Sequence, residues 1–368
     1  MKPNLLFINS ITIYAGGEVW MLSVMKEMAK RGFEVTLVCK PEAEIISHAK
    51  KEKIDVLPIR IAGDFDPISI SHLVKIYKKR KIDIVIANVG KDIRLAGLAA
   101  KLLRGISVIA LHQVDREIKN NLRYRFTYNS LAKMIVVNSL ATKNTLLKSA
   151  PWLLDEKIKV VYHGIDYEKY SLANTRDLRI EFGLSPQDLI IGFVGRLSIQ
   201  KGINYMLDAF RLVTEKFKDV HLLIAGTGEL ENVIKEFTRK FNLENKIHLL
   251  GFRKDIPDLM KTFDIFLLPS LWEGFGLVLI EAMAAGKPVV ATNTSSIPEI
   301  AKDGRNGILV PPENAIAISD ALKKLISETE LRRKFGDEGL KIVREKFTTE
   351  RMINDYEKIF YKIKKMRA

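Results

Sequence analysis

Short apolar runs alternate with amphipathic stretches along the whole chain, and the alternation starts twice. In the first half, Leu5-Leu-Phe-Ile8 and the runs near 33–39, 54–58, 82–87, 106–111, 133–137 and 158–161 predict strands. Gly16-Gly17 precedes a helical pattern that runs through Arg31 and is ended by Gly32, and further helical patterns cover 69–80, 91–104 and 139–149. The polar stretch Asp166–Pro186 then predicts a connection between domains. The alternation resumes with strands at Leu189–Val194, His221–Ala225, Lys246–Leu250, Ile265–Leu268, from Pro288 onward and at Asn306–Val310. Helices are expected over Gly202–Lys216, 313–327 and 329–346, with a last amphipathic, basic pattern at Thr348–Lys365. Continuous apolar strands separated by amphipathic helices imply an α/β fold with doubly wound parallel sheets. The expected domains are 1–165 with 350–368, and 166–349. No period of repeat-array length is present.

Composition narrows the class. A chain of 368 residues, 47% hydrophobic and 28% charged, suits two soluble globular domains better than one core. Cys39 is the only cysteine and lies in an apolar run, which favours a core position and a reducing compartment. The N-terminal apolar core is too short for a signal peptide, and no membrane span is readable. The net charge of +15 is unevenly placed: residues 1–165 hold 27 basic against 15 acidic residues, whereas 166–349 balance at 26 each. The scattered bases and the lack of a recognition motif argue against a nucleic-acid partner. A basic face toward an anionic membrane or acidic acceptor fits better.

The chemistry concentrates where strands of the second half end in glycine. Pro269–Ala291 contains an apolar strand end, a tight loop with Gly274 and Gly276, and a helix stopped by Gly286. Glu273 lies in the loop and Glu281 inside the helix. Free N–H groups at such a helix start attract an anion, and the strand's carboxyl edge is where open α/β sheets bind ligands. Arg196 and Lys201 flank the loop after an earlier strand, one a fork and one a point charge for the same anion. Gly226-Thr-Gly228 and Gly251, Phe252 and Arg253 end two more strands, and glycines there let a ligand approach the backbone. Asp64-Phe-Asp66 matches a metal-binding Asp-x-Asp pattern, but three residues are a weak match and a surface loop is the better reading. Gly-x-Gly-x-x-Gly is missing after the first strand, which argues against a nicotinamide dehydrogenase.

Together, Arg196 with Lys201, Gly226-Thr-Gly228 and the stretch Glu273–Glu281 closely resemble the retaining glycosyltransferases of family 4, glycosyl transferases group 1. The resemblance extends to the first half through Gly16-Gly17, His112 and Tyr162-His-Gly-Ile-Asp166. It implies a GT-B architecture: two Rossmann-like domains facing a central cleft, an N-terminal acceptor domain and a C-terminal donor domain, with the C-terminal helix returning to the first. It also implies roles. Glu273 would bind hydroxyls of the transferred sugar, and Glu281 the ribose diol. Gly274, Phe275, Gly276, Leu277 and Val278 would form the phosphate loop and helix start. Arg196 and Lys201 would stabilise the leaving diphosphate, the Gly16-Gly17 loop would close over the donor, and His112 would lie near the transferred sugar. His112 is followed by Gln113-Val114-Asp115 rather than directly by an acid, which leaves the role of Asp115 open. Glu18 stands one position early for the family's first loop, and His163 reads as part of a structural turn.

The implied reaction takes a UDP-, GDP- or ADP-sugar as donor, keeps the anomeric configuration and needs no metal or other cofactor. The leaving phosphate would take the proton of the attacking acceptor. The acceptor, lipid-linked or saccharide, would bind the basic first domain in cell-envelope polysaccharide, lipopolysaccharide or glycolipid synthesis. Lys119–Lys133 and Ile76–Lys81 interleave bases with aromatics, so a cytoplasmic protein peripheral on the inner membrane face is the expectation. A nucleotide-sugar epimerase or hydrolase of the same fold, and a non-catalytic sugar-nucleotide or polyanion binder, are the competing readings.

Overall fold

In a computed structural model, residues 2–172 and 178–366 are described. The chain divides into two compact units, Met1–Tyr162 with Met352–Ala368, and His163–Arg351.

The first unit carries strands β1 (Leu5–Asn9), β2 (Val35–Cys39), β3 (Asp55–Pro58), β4 (Ile84–Ala87), β5 (Ser107–His112), β6 (Met134–Val137) and β7 (Ile158–Val160). They pair in the order β3-β2-β1-β4-β5-β6-β7, and every pairing is parallel. The central strands are buried along their length because helices cover both faces, which is why they read as unbroken apolar runs. Cys39 is a buried core residue, and burial raises its thiol to about 11. The strand order reverses between β1 and β4, the kind of point where such sheets hold ligands.

The helix Thr349–Lys365 carries the chain into this unit. It buries Met352, Ile353, Tyr356, Ile359, Phe360 and Ile363, a helical repeat of three and four. These side chains join the core formed by Trp20, Met21 and Met25 of helix Gly16–Lys30. Arg31 pairs with Glu357 at 2.6 Å on the rim of this contact. The C-terminal helix thus packs on the N-terminal domain.

The second unit carries β8 (Leu189–Val194), β9 (Val220–Ala225), β10 (Ile247–Gly251), β11 (Ile265–Leu268), β12 (Val289–Thr292) and β13 (Gly307–Val310). Their order is β10-β9-β8-β11-β12-β13, again all parallel, with the reversal between β8 and β11. Both units are therefore Rossmann-like sheets.

The predicted connection differs from expectation. Residues 173–177 lie outside the described residues, but what flanks them is built into the second unit. A short helix, Tyr167–Ser171, precedes them and buries Tyr170, and Leu178 after them is 1% exposed. Two apolar anchors in a polar stretch suffice to dock it, and a compositional reading averages them away. Four further helices, Ile45–Lys51, Glu231–Lys240, Ile256–Thr262 and Ile297–Ile300, lie outside the predicted patterns. Within the basic segment 119–133 the chain forms a helix, Leu122–Arg125, that widens into a π-helix over Phe126–Leu131.

Candidate functional site

The site in the second unit is built by the loops after β8 and β11, the two strands that flank the reversal. A 3₁₀ turn, Ile199–Lys201, follows β8 and leads into helix Ile203–Thr214. Leu271 N–H donates to the Gln200 carbonyl at 2.8 Å, and the Gln200 side-chain amide donates to the Trp272 carbonyl at 3.0 Å. The two loops are thus stitched together, and they bring Lys201 to Glu273.

Glu273 is 5% exposed. Its Oε1 accepts from Lys201 Nζ at 2.5 Å and from the Ser270 hydroxyl at 2.6 Å. A carboxylate at this depth costs several kcal/mol unless paired, and the lysine supplies the pairing. The other end of the loop is held from β12 and its successor. Thr292 donates its hydroxyl to the Ser270 carbonyl, Thr294 to Leu271 at 3.1 Å, and Ser296 to Phe275 at 2.9 Å. His163 packs its ring 5.1 Å from that of Phe275, and burial pushes its imidazole down to about 3. His163 is therefore a neutral wedge behind the loop, consistent with a structural role.

Arg196 follows β8 and is exposed. Among the described residues its guanidinium has no ion pair or side-chain hydrogen bond. Lys201 lies close by, since a Cβ built at Gly195 would stand 3.6 Å from its Cε. The 195–197 segment is fixed by the glycine turn after β9. Leu197 N–H donates to Thr227 O at 3.0 Å, and Leu230 N–H to Leu197 O at 3.0 Å. Gly226 has φ +141°, and a Cβ there would sit 1.8 Å from Gly195 O; one at Gly228 would sit 2.3 Å from Leu197 O. These glycines let backbone approach backbone, whereas the sequence pointed to backbone approaching ligand.

Helix Leu277–Ala284 starts at Gly276, whose φ of +91° turns the chain so that the N–H groups at Leu277 and Val278 head the helix. The helix reads LVLIEAMA, so Glu281 is its one charge. Burial raises the Glu281 carboxyl above the usual carboxylate range, while a hydrogen bond from Tyr170 and the charge of Lys169 oppose that rise. Tyr170, the buried residue of the short helix before the undescribed segment, was not signalled by the sequence: nothing local links it to Glu281. Ser270 and the hydroxyls of Thr292, Thr294 and Ser296 were missed for the same reason.

The remaining predicted donor residues are placed differently. Arg253 is committed within its own unit: its fork reaches Asp255 at 2.8 and 2.5 Å and Glu181 at 2.5 Å. Both acids raise its pKa, the Asp255 hydrogen bond most. The neighbouring Phe252 is 72% exposed and offers the open ring at this strand end.

In the first unit, Gly16 and Gly17 open helix Gly16–Lys30 after β1. Glu18 is buried and accepts from Asn9 Nδ2 at 3.1 Å and from the Ala15 N–H at 3.2 Å, a capping role that explains its position. His112 ends β5. Its Nε2 faces the Arg116 carbonyl at 3.2 Å and so carries the ring proton, and its Nδ1 faces the Tyr128 hydroxyl at 3.5 Å. Burial lowers its pKa, keeping the ring neutral. Asp115 accepts from the Thr145 hydroxyl at 2.6 Å. Asp64 pairs with Arg94 at 3.0 Å and with Arg123, and Asp66 caps helix Pro67–Lys79, so both carboxylates of the Asp-x-Asp match are spent on structure. Among the described residues no group of three or more histidine, cysteine or acidic side chains is placed to hold a metal ion.

Comparison with known proteins agrees with this architecture. The pattern of Glycosyl transferases group 1 matches residues 174–342, and that of Glycosyltransferase Family 4 matches 14–169. Two uncharacterized glycosyltransferases of Methanocaldococcus jannaschii are 30% and 31% identical, covering 68% and 79% of this chain and 65% and 80% of theirs. The UDP-Gal:alpha-D-GlcNAc-diphosphoundecaprenol alpha-1,3-galactosyltransferase of Escherichia coli is 27% identical over 89% of each chain. Among solved structures, a glycosyltransferase from Rickettsia africae aligns with a TM-score of 0.90 at 22% identity, covering 98% of each chain. Anabaena HepE in complex with UDP aligns at 0.86 and 22%, covering 98% of this chain and 100% of that one, a likeness that shows the fold. Two Rossmann-like units, the paired Lys201 and Glu273 beside Arg196, and these matches place the chain in the group 1, family 4 glycosyltransferases of GT-B fold.

Proposed function

We propose that the chain transfers a sugar from a nucleoside-diphosphate sugar to an acceptor hydroxyl, with retention of anomeric configuration and without a metal. The observation that carries this reading is the Lys201–Glu273 pair beside the exposed Arg196, all on the two strand ends at the reversal of the second sheet. A departing diphosphate gains negative charge as its bond to the sugar breaks. Arg196, Lys201 and the N–H groups after Gly276 are the positive groups for that charge. Lys201 already touches Glu273, so one contact would couple sugar binding to leaving-group binding. Glu281 is the acceptor for a ribose diol, since one carboxylate takes two hydroxyl hydrogen bonds. His112, held neutral, suits a hydrogen bond to a sugar hydroxyl rather than charge neutralisation.

UDP is the first nucleotide to test, because structures of the HepE relative contain UDP and UDP-glucose. A lipid-linked acceptor is the first to test, because the Escherichia coli relative is named for one. A peripheral membrane position is supported by the net +12 of residues 1–165 and by Leu122, 83% exposed, among the bases of the 119–133 segment. No described helix is long and apolar enough to cross a membrane.

Calorimetric titration with UDP-, GDP- and ADP-sugars should find one tight donor, lost in Glu281→Ala. Turnover with a hydroxyl acceptor should give a product of unchanged anomeric configuration, read by NMR coupling, and should survive EDTA. An inverted product, or abolition by EDTA, would overturn the reading. Release of free sugar regardless of acceptor would point instead to a hydrolase.

A further inference from the structure

The starting edge of β5, β6 and β7 in the first unit, away from the edge where His112 lies, is a groove of 760 Å³. Five lysines line it, Lys101, Lys133, Lys157, Lys159 and Lys362, with Glu156 as their one acidic neighbour. None of the five makes an ion pair among the described residues. They arrive from four separate elements: Lys101 ends helix Gly90–Lys101, Lys133 precedes β6, Lys157 and Lys159 flank the start of β7, and Lys362 comes from the returning C-terminal helix.

Ordinary solvation explains part of this. Lys101 sits at a helix C-terminus, where a cation is favoured, and lies 5.6 Å from the Phe126 ring. The lysines beside β6 and β7 have no such reason to gather. Lys157 is half-buried, donates to Asn129 O at 2.8 Å, and is pushed down to about 8 by burial and by the charge of Lys133. Surface lysines normally spread to avoid one another; these are held together at a cost that a bound anion would remove. No aromatic side chain lines the groove among the described residues, so nothing there would stack a base.

The geometry points to a second anion site, for a compact ligand bearing two or more phosphates and no nucleobase, gripped by Lys133, Lys157, Lys159 and Lys362. The ligand is either a soluble polyphosphorylated molecule or the head group of an anionic phospholipid. The site does not depend on the proposed transfer reaction.

Inorganic tripolyphosphate is the probe, used in equilibrium dialysis with the full chain at low salt. The wild type should bind it, and so should Arg196→Ala, which weakens the diphosphate region of the other unit. Lys133→Gln/Lys157→Gln/Lys159→Gln should weaken binding about tenfold or more, as loss of three close charges requires. Lys133→Glu/Lys362→Glu changes exposed side chains only and should do the same if the triple variant folds poorly. Lys78→Gln/Lys79→Gln/Lys81→Gln removes the same charge elsewhere and should leave binding unchanged. Absence of wild-type binding, or equal weakening in this last variant, overturns the proposal. Vesicles rich in anionic phospholipid separate the sources. Displacement of tripolyphosphate from the wild type by vesicles, with vesicle co-sedimentation weakened in the groove variants, assigns the site to a lipid head group; undisturbed binding assigns it to a soluble anion.

Discussion

Glu273 and Lys201 show how a carboxylate is paired in a buried place. Their side chains are 6% and 15% exposed, and each is the other's counter-charge. Lys201→Met would leave the carboxylate buried with only Ser270, which costs roughly 3–5 kcal/mol when a buried pair loses one member. The double variant Lys201→Met/Glu273→Gln removes both charges and should recover most of that stability in urea melts while staying inactive. Equal destabilisation of the single and double variants would show that the pair does not couple. Glu281 is held differently, by the Tyr170 hydroxyl against a burial that raises its pKa. Tyr170→Phe should therefore protonate Glu281 at higher pH. Nucleotide affinity should fall by roughly 1–3 kcal/mol, the usual range for an unpaired buried polar group, with the loss growing as pH drops. A pH-independent loss would mean that Tyr170 acts by packing alone. The sequence exposed Glu273 and Glu281 because each is a charge in an apolar stretch. It hid Tyr170 and Ser296, because their partners are distant along the chain and their own neighbourhoods are ordinary.

At the level of elements, the strands of both sheets were legible because parallel strands buried on two faces must be continuously apolar. Leu189–Val194 and Ile265–Leu268 are reproduced to the residue, as is helix Thr329–Lys346. Short helices such as Ile256–Thr262 were not legible: two turns carry too few apolar positions to set a period, and packing rather than pattern decides them. The glycine turn after β9 was seen; that it also serves a close approach to another loop was not. Gly226→Ala tests that purpose. It would place a Cβ 1.8 Å from Gly195 O, in a backbone conformation that costs roughly 1–3 kcal/mol for other residues. The 195–197 segment must then move, carrying Arg196 with it. The expected result is a large fall in kcat with nucleotide affinity less affected, since Glu281 sits on a different element. A variant with normal kcat would return the turn to a purely structural role.

For the molecule as a whole, two half-buried lysines set an alkaline dependence of stability opposite to that of most proteins. Lys287 is pushed down to about 8, mainly by burial, and its ammonium donates to Lys261 O at 2.7 Å. Lys157 is also lowered to about 8. An unfolded lysine titrates near 10.4. Below pH 8 both states hold the proton, and the folded state bears the full cost of the buried charge. Between about pH 8 and 10 the folded chain has released protons that the unfolded chain still binds, so stability rises with pH in that window. Above pH 10 the sign turns. Tyr77, Tyr170 and Tyr356 are raised by burial, so the unfolded phenols ionise first and favour unfolding. Loss of the overall positive charge also lowers self-repulsion across the same window, so the trend in Tm alone does not identify its source. Lys287→Met separates the two. It removes one surface-scale charge but all of the buried cost at that site. Its Tm should exceed that of the wild type at pH 7.5, and the gap should narrow toward pH 9.5. A constant gap would assign the gain to apolar packing, and no gap would mean that Lys287 reaches water in solution.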